Sequence, residues 1–137
     1  MIINERTKKG IEDLAKVYDL SLVVLFGSQA TGYTHKESDI DIAYVSEKHL
    51  SYEDEIRLDS DLTGVFKKDE ISLVDLNRAS PLLAKQIVSK GIVLYEKKKY
   101  IFSDFYIRSL RMYAEAEPLF KLRRHYLDYK IKQYQHA

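Results

Sequence analysis

The sequence predicts an α/β (α+β) fold, in which a small mixed β-sheet is flanked by helices and followed by a helical C-terminal extension. Apolar runs rich in β-branched residues alternate with segments of helical spacing, in the order helix, strand, strand, helix, strand, helix, strand, helix. The first two strands are joined by a 12-residue loop, which suggests an antiparallel or mixed sheet. At 137 residues, the chain is long enough for one domain with a buried core.

The first three elements surround a polar loop that contains two glycines. Residues 3–19 carry Ile11, Ala15 and Tyr18 at helical spacing, which predicts a helix. The run "LSLVVLF" then predicts a buried strand that is closed by Gly27. After the loop "GSQATGYTHKES", the run "IDIAYV" predicts the second strand, in which acidic residues alternate with apolar ones.

Capping and terminating residues indicate where the next helices begin and end. Ser51 followed by Asp54 resembles a capping box and predicts the start of a helix. The run "ISLVDL" predicts a third strand. A second helix with defined ends is predicted from Ser80 as N-cap, Pro81 in the first turn and Gly91 after the last turn. The run "IVLYE" predicts a short fourth strand.

The C-terminal extension differs from the rest of the chain in charge and in aromatic content. Residues 1–96 hold 12 Lys/Arg and 17 Asp/Glu, whereas residues 97–137 hold 10 and 4, together with six of the 11 tyrosines. From Lys99 onward the pattern is helical, and Pro118 is predicted to kink the helix or to split it into two. A basic helix is usually a solvated face, but we expect residues 100–137 to help dock a protein partner.

Composition excludes several classes of protein and of site. The chain has no cysteine, so a metal would be held by oxygen or histidine, and the four histidines show no ligand spacing. No apolar run approaches the roughly 20 residues that span a bilayer, and the N-terminus lacks the apolar centre of a secretion signal. These features predict a cytoplasmic protein without a membrane partner. The net charge of +1 predicts no direct binding of nucleic acid.

Asp39 and Asp41 are the candidate catalytic and metal-binding residues. Side chains two residues apart on a strand point the same way, so the two carboxylates repel each other unless a cation lies between them. Mg²⁺ suits such a pair, and two ions about 3.5–4 Å apart would serve an attacking and a leaving oxygen. Gly27 lets backbone N–H groups approach an anion, and the Ser28 hydroxyl can donate to a phosphate oxygen. An isolated Asp-x-Asp pair is more often a solvated strand end.

The stretch "GSQATGYTHKESDIDIAYV" resembles the Gly-Ser…Asp-x-Asp signature of the polymerase-β-like nucleotidyltransferases. The size of the chain and the stretch "ISLVDLNRASPLLAKQIVSKGIVLY" are similar to the minimal nucleotidyltransferase (MNT) antitoxins of the MntA type, which accompany HEPN-domain ribonuclease toxins. The resemblance implies the polymerase-β-like fold, with a nucleotidyltransferase domain over residues 1–97 and a helical extension over residues 98–137 packed on or beside it.

The same resemblance implies an activity and a role for each matching residue. Members of the family use ATP and magnesium to transfer AMP to a tyrosine of the partner HEPN toxin. By position, Gly27 and Ser28 would bind the triphosphate of the nucleotide, and Asp39 and Asp41 would be the catalytic residues that bind the metal ions.

The chain departs from the family at the third acid. The family has an acid where this chain has Ser72, and strand alternation turns Asp75 to the opposite face. Glu70 shares a face with Ser72 but lies one repeat earlier, so the base that deprotonates the acceptor stays unassigned.

Three functions therefore remain open: a protein adenylyltransferase antitoxin, a binding-only antitoxin with weakened catalysis, and a nucleotidyltransferase acting on a small molecule such as an aminoglycoside. A ribonuclease role for the chain itself is not expected, because no arginine precedes any histidine at the HEPN spacing.

Overall fold

The computed structural model describes residues 3–27, 40–68 and 70–136. Within these residues, four strands and four α-helices follow one another in the predicted order, and a 3₁₀ turn, Leu76–Arg78, follows the third strand. The elements are α1 Glu5–Tyr18, β1 Leu20–Phe26, β2 Ile40–Ser46, α2 Tyr52–Phe66, β3 Ile71–Asp75, α3 Pro81–Lys90, β4 Ile92–Glu96 and α4 Ile101–Gln135.

The four strands form one mixed sheet in the order β3-β2-β1-β4, which confirms the predicted fold class. Strand β1 lies inside the sheet and pairs antiparallel with both β2 and β4. Strand β2 pairs in parallel with β3, with α2 as the crossover between them. The end of β1 and the beginnings of β2 and β3 therefore meet at the same end of the sheet.

Side-chain caps fix the starts of the first three helices. The Asn4 side chain accepts a hydrogen bond from the Thr7 N–H at 2.8 Å. Ser51 and Asp54 form the reciprocal capping box that the sequence predicts. The Ser80 hydroxyl accepts from the Leu83 N–H, and proline occupies the first turn of α3. Each cap satisfies a backbone N–H that has no partner within its own helix.

The sheet buries a separate apolar cluster on each face. Helices α1 and α2 cover the first cluster, which includes Ile11, Ile42 and Leu58. Helix α3 and the first turns of α4 cover the second, which includes Val24 and Ile87. Because strand side chains alternate in direction, each strand supplies neighbouring residues to opposite clusters.

Helix α4 runs through Pro118 as one helix of 35 residues, so the predicted split into two helices is wrong. Proline removes one backbone hydrogen bond, which would have gone to the carbonyl of Ala114. Ala114 and Pro118 are both exposed, and water can therefore satisfy that carbonyl. At about 1.5 Å per residue, α4 is roughly 50 Å long. None of the helices that the structure describes is long and apolar enough to cross a membrane.

Candidate active site

Gly27 and Asp41 form the centre of the candidate site. Phe26, the last residue of β1, pairs with Asp41 across the sheet, and Gly27 follows with a backbone φ of +77°. This left-handed conformation favours glycine because a Cβ atom would be strained there. A Cβ placed on residue 27 would also overlap the Asp41 carboxylate, lying 3.0 Å from its Cγ. The absence of a side chain at Gly27 thus creates the space that the Asp41 carboxylate occupies.

The Asp41 side chain projects from the sheet face that carries the second cluster. Ala43 and Val45, which share its direction on β2, belong to that cluster, whereas Ile40 and Ile42 belong to the first. Asp41 itself is half-buried. Its carboxylate therefore lies at the end of an apolar face of the sheet.

Ser72 lies directly beside Asp41 on the neighbouring parallel strand. It shares its face of β3 with Val74, which packs on the second cluster, so the two side chains stand on the same side of the sheet. The structure thus brings Ser72 to the position from which a third carboxylate could reach the candidate site. Ser72 itself is exposed.

Asp75 has a structural role. It pairs in register with Tyr44, whose side chain belongs to the first cluster, on the sheet face opposite to Asp41. The Asp75 carboxylate caps the 3₁₀ turn by accepting from the Asn77 N–H at 3.0 Å, and it lies 3.7 Å from the Arg78 guanidinium. Its direction and its partners both separate Asp75 from the candidate site.

Two of the four predicted site residues, Ser28 and Asp39, lie outside the described residues. Over residues 3–27, 40–68 and 70–136, no group of three or more His, Cys, Asp or Glu side chains is close enough to hold a metal ion. The described half of the site nevertheless fits a hard cation such as Mg²⁺. It offers a carboxylate oxygen donor in a cradle that a Cβ on residue 27 would fill.

Two tyrosines tie α2 to the body of the molecule. The buried Tyr44 hydroxyl donates to Glu55 Oε1 at 2.7 Å; burial, followed by this hydrogen bond, raises the pKa of Tyr44 far above its ordinary value. The Tyr18 hydroxyl donates to Asp61 Oδ2 at 2.6 Å, and burial together with this bond raises the pKa of Tyr18 to about 12. Both phenols therefore stay protonated at neutral pH and act as structural donors.

The sequence interpretation missed the steric relation between Gly27 and Asp41. A glycine directly after an apolar strand was the available signal, but the overlap depends on the cross-strand register of β1 and β2. The prediction for Ser72 rested on the family pattern and on strand alternation, and the register adds that its direct neighbour is Asp41.

A mixed sheet with helices on both faces and an aspartate held beside a glycine turn are features expected of a polymerase-β-like nucleotidyltransferase. The family model described as "Polymerase beta, Nucleotidyltransferase" matches residues 9–100, and the chain belongs to this family. It is therefore an enzyme that acts on a nucleotide substrate.

A sequence relative indicates which kind of nucleotidyltransferase the chain is similar to. The chain is 34% identical over 128 residues to a protein adenylyltransferase MntA of Aphanizomenon flos-aquae, and the match covers 87% of this chain and 85% of that protein.

Two solved structures show the same similarity. One is a toxin–antitoxin with AMP-PNP, with a TM-score of 0.73 and 29% identity over 90% of this chain and 98% of the matched chain. The other is a tri-AMPylated Shewanella oneidensis HEPN toxin in complex with MNT antitoxin, with a TM-score of 0.68 and 27% identity over 91% and 96%.

Proposed function

We propose that this nucleotidyltransferase is an MntA-type antitoxin that transfers AMP from ATP to a tyrosine of a HEPN-family ribonuclease toxin. The observation that carries the proposal is the Asp41 carboxylate seated in the space left by Gly27, at the end of the sheet. The relatives that are protein adenylyltransferases, and the complexes that contain a toxin, support it. A cytoplasmic location is part of the proposal, because it is consistent with ATP as substrate and a ribonuclease as partner.

Asp39 and Asp41 would share two Mg²⁺ ions as carboxylate ligands, and Gly27 and Ser28 would hold the triphosphate. When bound, the ions supply positive charge to the α-phosphate and to the departing diphosphate. The toxin tyrosine oxygen forms a bond to the α-phosphorus while the bond from that phosphorus to the bridging oxygen breaks, so that diphosphate leaves. The phenol proton passes to a base.

A binding-only antitoxin is the second candidate, and the Ser72 position favours it. A serine beside Asp41 supplies neither the negative charge nor the basicity of a carboxylate. If no other acid takes over the task, the chain neutralises its toxin by occupying it. A nucleotidyltransferase that modifies a small molecule is the third candidate, because the fold does not fix the acceptor.

One experiment separates these functions. The full chain is incubated with Mg²⁺ and ATP labelled on the α-phosphate, together with the HEPN-domain protein of the same genome, with an aminoglycoside, or with neither. Label on the HEPN protein supports the adenylyltransferase, whereas a tight unlabelled complex that blocks RNA cleavage identifies a binding-only antitoxin. Label on an aminoglycoside but not on the HEPN protein would establish the third function.

The division of the chain is part of the proposal. Residues 1–97 would form the catalytic unit and residues 98–137 a helical extension. In the structure, the first turns of α4 pack through Ile101, Phe102 and Phe105 on the second cluster. The Glu96 carboxylate accepts from the Phe102 N–H at 2.8 Å and so anchors the start of the helix.

A further inference from the structure

The second half of α4, residues 119–135, is an arm that leaves the body of the protein. The buried residue of α4 is Ser109, and the helix packs on α3, β1 and β4. From Pro118 to the end of the helix, every residue is exposed except the half-buried Lys130. Eight large apolar side chains between Leu119 and Tyr134 are nevertheless present on this arm, each between 40% and 81% exposed.

The exposed apolar side chains lie on one side of the arm. At about 100° per residue, all eight fall within an arc of roughly 200° that runs from Tyr129 through Leu119 to Ile131. The opposite side carries polar residues, including Arg124, Asp128 and Lys132. A flat surface could cover only part of an apolar arc this wide. A groove contacts more of the helix circumference, so the arc is suited to a helix that lies in a groove.

Two cations lie in the middle of the apolar arc. Arg123 and Lys130 are seven residues apart, and their directions fall within about 20° of the centre of the arc. Lys130 Nζ lies 5.7 Å from the centroid of the Tyr126 ring. The arm's acid, Asp128, points to the opposite side of the helix. Any surface that covers the arc must therefore bring its own carboxylates to two places, or it will bury two unpaired charges.

The same distribution disfavours a second copy of the arm as the occupant. Two arms packed through their apolar arcs would bring four cations together, while both Asp128 side chains would face solvent. The arm holds five Lys/Arg and one Asp, so the pair would also repel over its whole length.

We propose that the arm is the docking helix for the HEPN toxin, and that it lies in an apolar groove of the toxin with toxin carboxylates opposite Arg123 and Lys130. This inference rests on the proposed function. An arm of 17 residues extends roughly 25 Å, so it holds a macromolecular acceptor beside the body without occupying the nucleotide site. Docking energy is thereby separated from catalysis: the arm sets how tightly the toxin is held, and the body sets how fast AMP is transferred.

The test compares two charge-reversed variants of the full chain that have the same composition. Arg123→Glu with Lys130→Glu changes the centre of the arc, and Arg124→Glu with Lys132→Glu changes the opposite side. Toxin affinity is measured by calorimetry with the HEPN-domain protein of the same genome, and helicity by circular dichroism. We expect the first variant to bind at least 30-fold more weakly and the second to stay within about threefold of the unmodified chain.

Kinetics separate docking from catalysis. For the first variant we expect a raised KM for the toxin with an unchanged kcat and unchanged ATP binding. Equal losses in both variants, or no loss in either, would overturn the docking helix while leaving the adenylyltransferase intact. A dimer of the chain alone, seen by light scattering and abolished only in the first variant, would assign the arm to a second copy instead. If the unmodified chain neither bound nor labelled the HEPN protein, both the proposed function and the docking role of the arm would be refuted.

Discussion

Replacing Gly27 with alanine tests the geometry of the candidate site directly. The φ of +77° at this position costs a residue with a Cβ about 1–2 kcal/mol. The new Cβ would also overlap the Asp41 carboxylate, which must then rotate away from its place at the end of the sheet. We therefore expect a loss of about 1–2 kcal/mol in the free energy of unfolding and a fall of roughly 100-fold or more in AMP transfer, equivalent to about 2.7 kcal/mol.

Gly64→Ala is the matched control. Gly64 lies within α2, and a Cβ added there would meet no atom of the described part of the chain within 4 Å. Alanine should therefore stabilise the helix by about 0.5–1 kcal/mol and leave transfer unchanged. Urea unfolding gives the stabilities of both variants, and label from α-labelled ATP gives the rates. Full transfer by Gly27→Ala, with the expected loss of stability, would refute the steric argument for Asp41.

Three further outcomes are expected. Asp39→Asn with Asp41→Asn should abolish transfer but preserve the fold, because carboxylate charge is lost with little change in shape; residual labelling of the toxin would show that the site is wrong. Ser28→Ala should lower kcat/KM for ATP roughly 10- to 100-fold, as expected for the loss of one hydrogen bond to a charged group, and an unchanged value at limiting ATP would remove Ser28 from the site. The raised pKa of Tyr18 means that its contribution to stability is complete below pH 10 and is lost as the pH rises towards about 12. In Tyr18→Phe, the free energy of unfolding should depend less on pH in this range. Identical pH profiles of urea unfolding for this variant and the unmodified chain would contradict the bond to Asp61.

Local chemistry made much of the fold predictable. The capping box at Ser51 and the Ser80 cap before Pro81 depend on residues within one helical turn, and the structure has both. Of the two outcomes predicted at Pro118, the split of α4 was wrong because a broken hydrogen bond matters less where water reaches the free carbonyl. That exposure is a property of the folded chain and is not visible in the local sequence.

The candidate site was less predictable because it depends on pairing between strands. Alternation along one strand indicates which way Asp41 and Ser72 point, but their adjacency follows from the parallel register of β2 and β3. The space beside Gly27 likewise arises from the pairing of Phe26 with Asp41. Such pairings join residues that are distant in sequence, and no local pattern specifies them.

The difference between the two halves of α4 gives one helix two levels of local stability. Its first turns can open only if Phe102 and Phe105 leave the second cluster, so their amide hydrogens should exchange with the slow rate of the core. The second half is held by backbone hydrogen bonds that solvent reaches from every side, so it can unwind while the sheet stays intact. Its lysines and arginines are then open to trypsin-like proteases, and one cut there would release the arm from a body that remains folded.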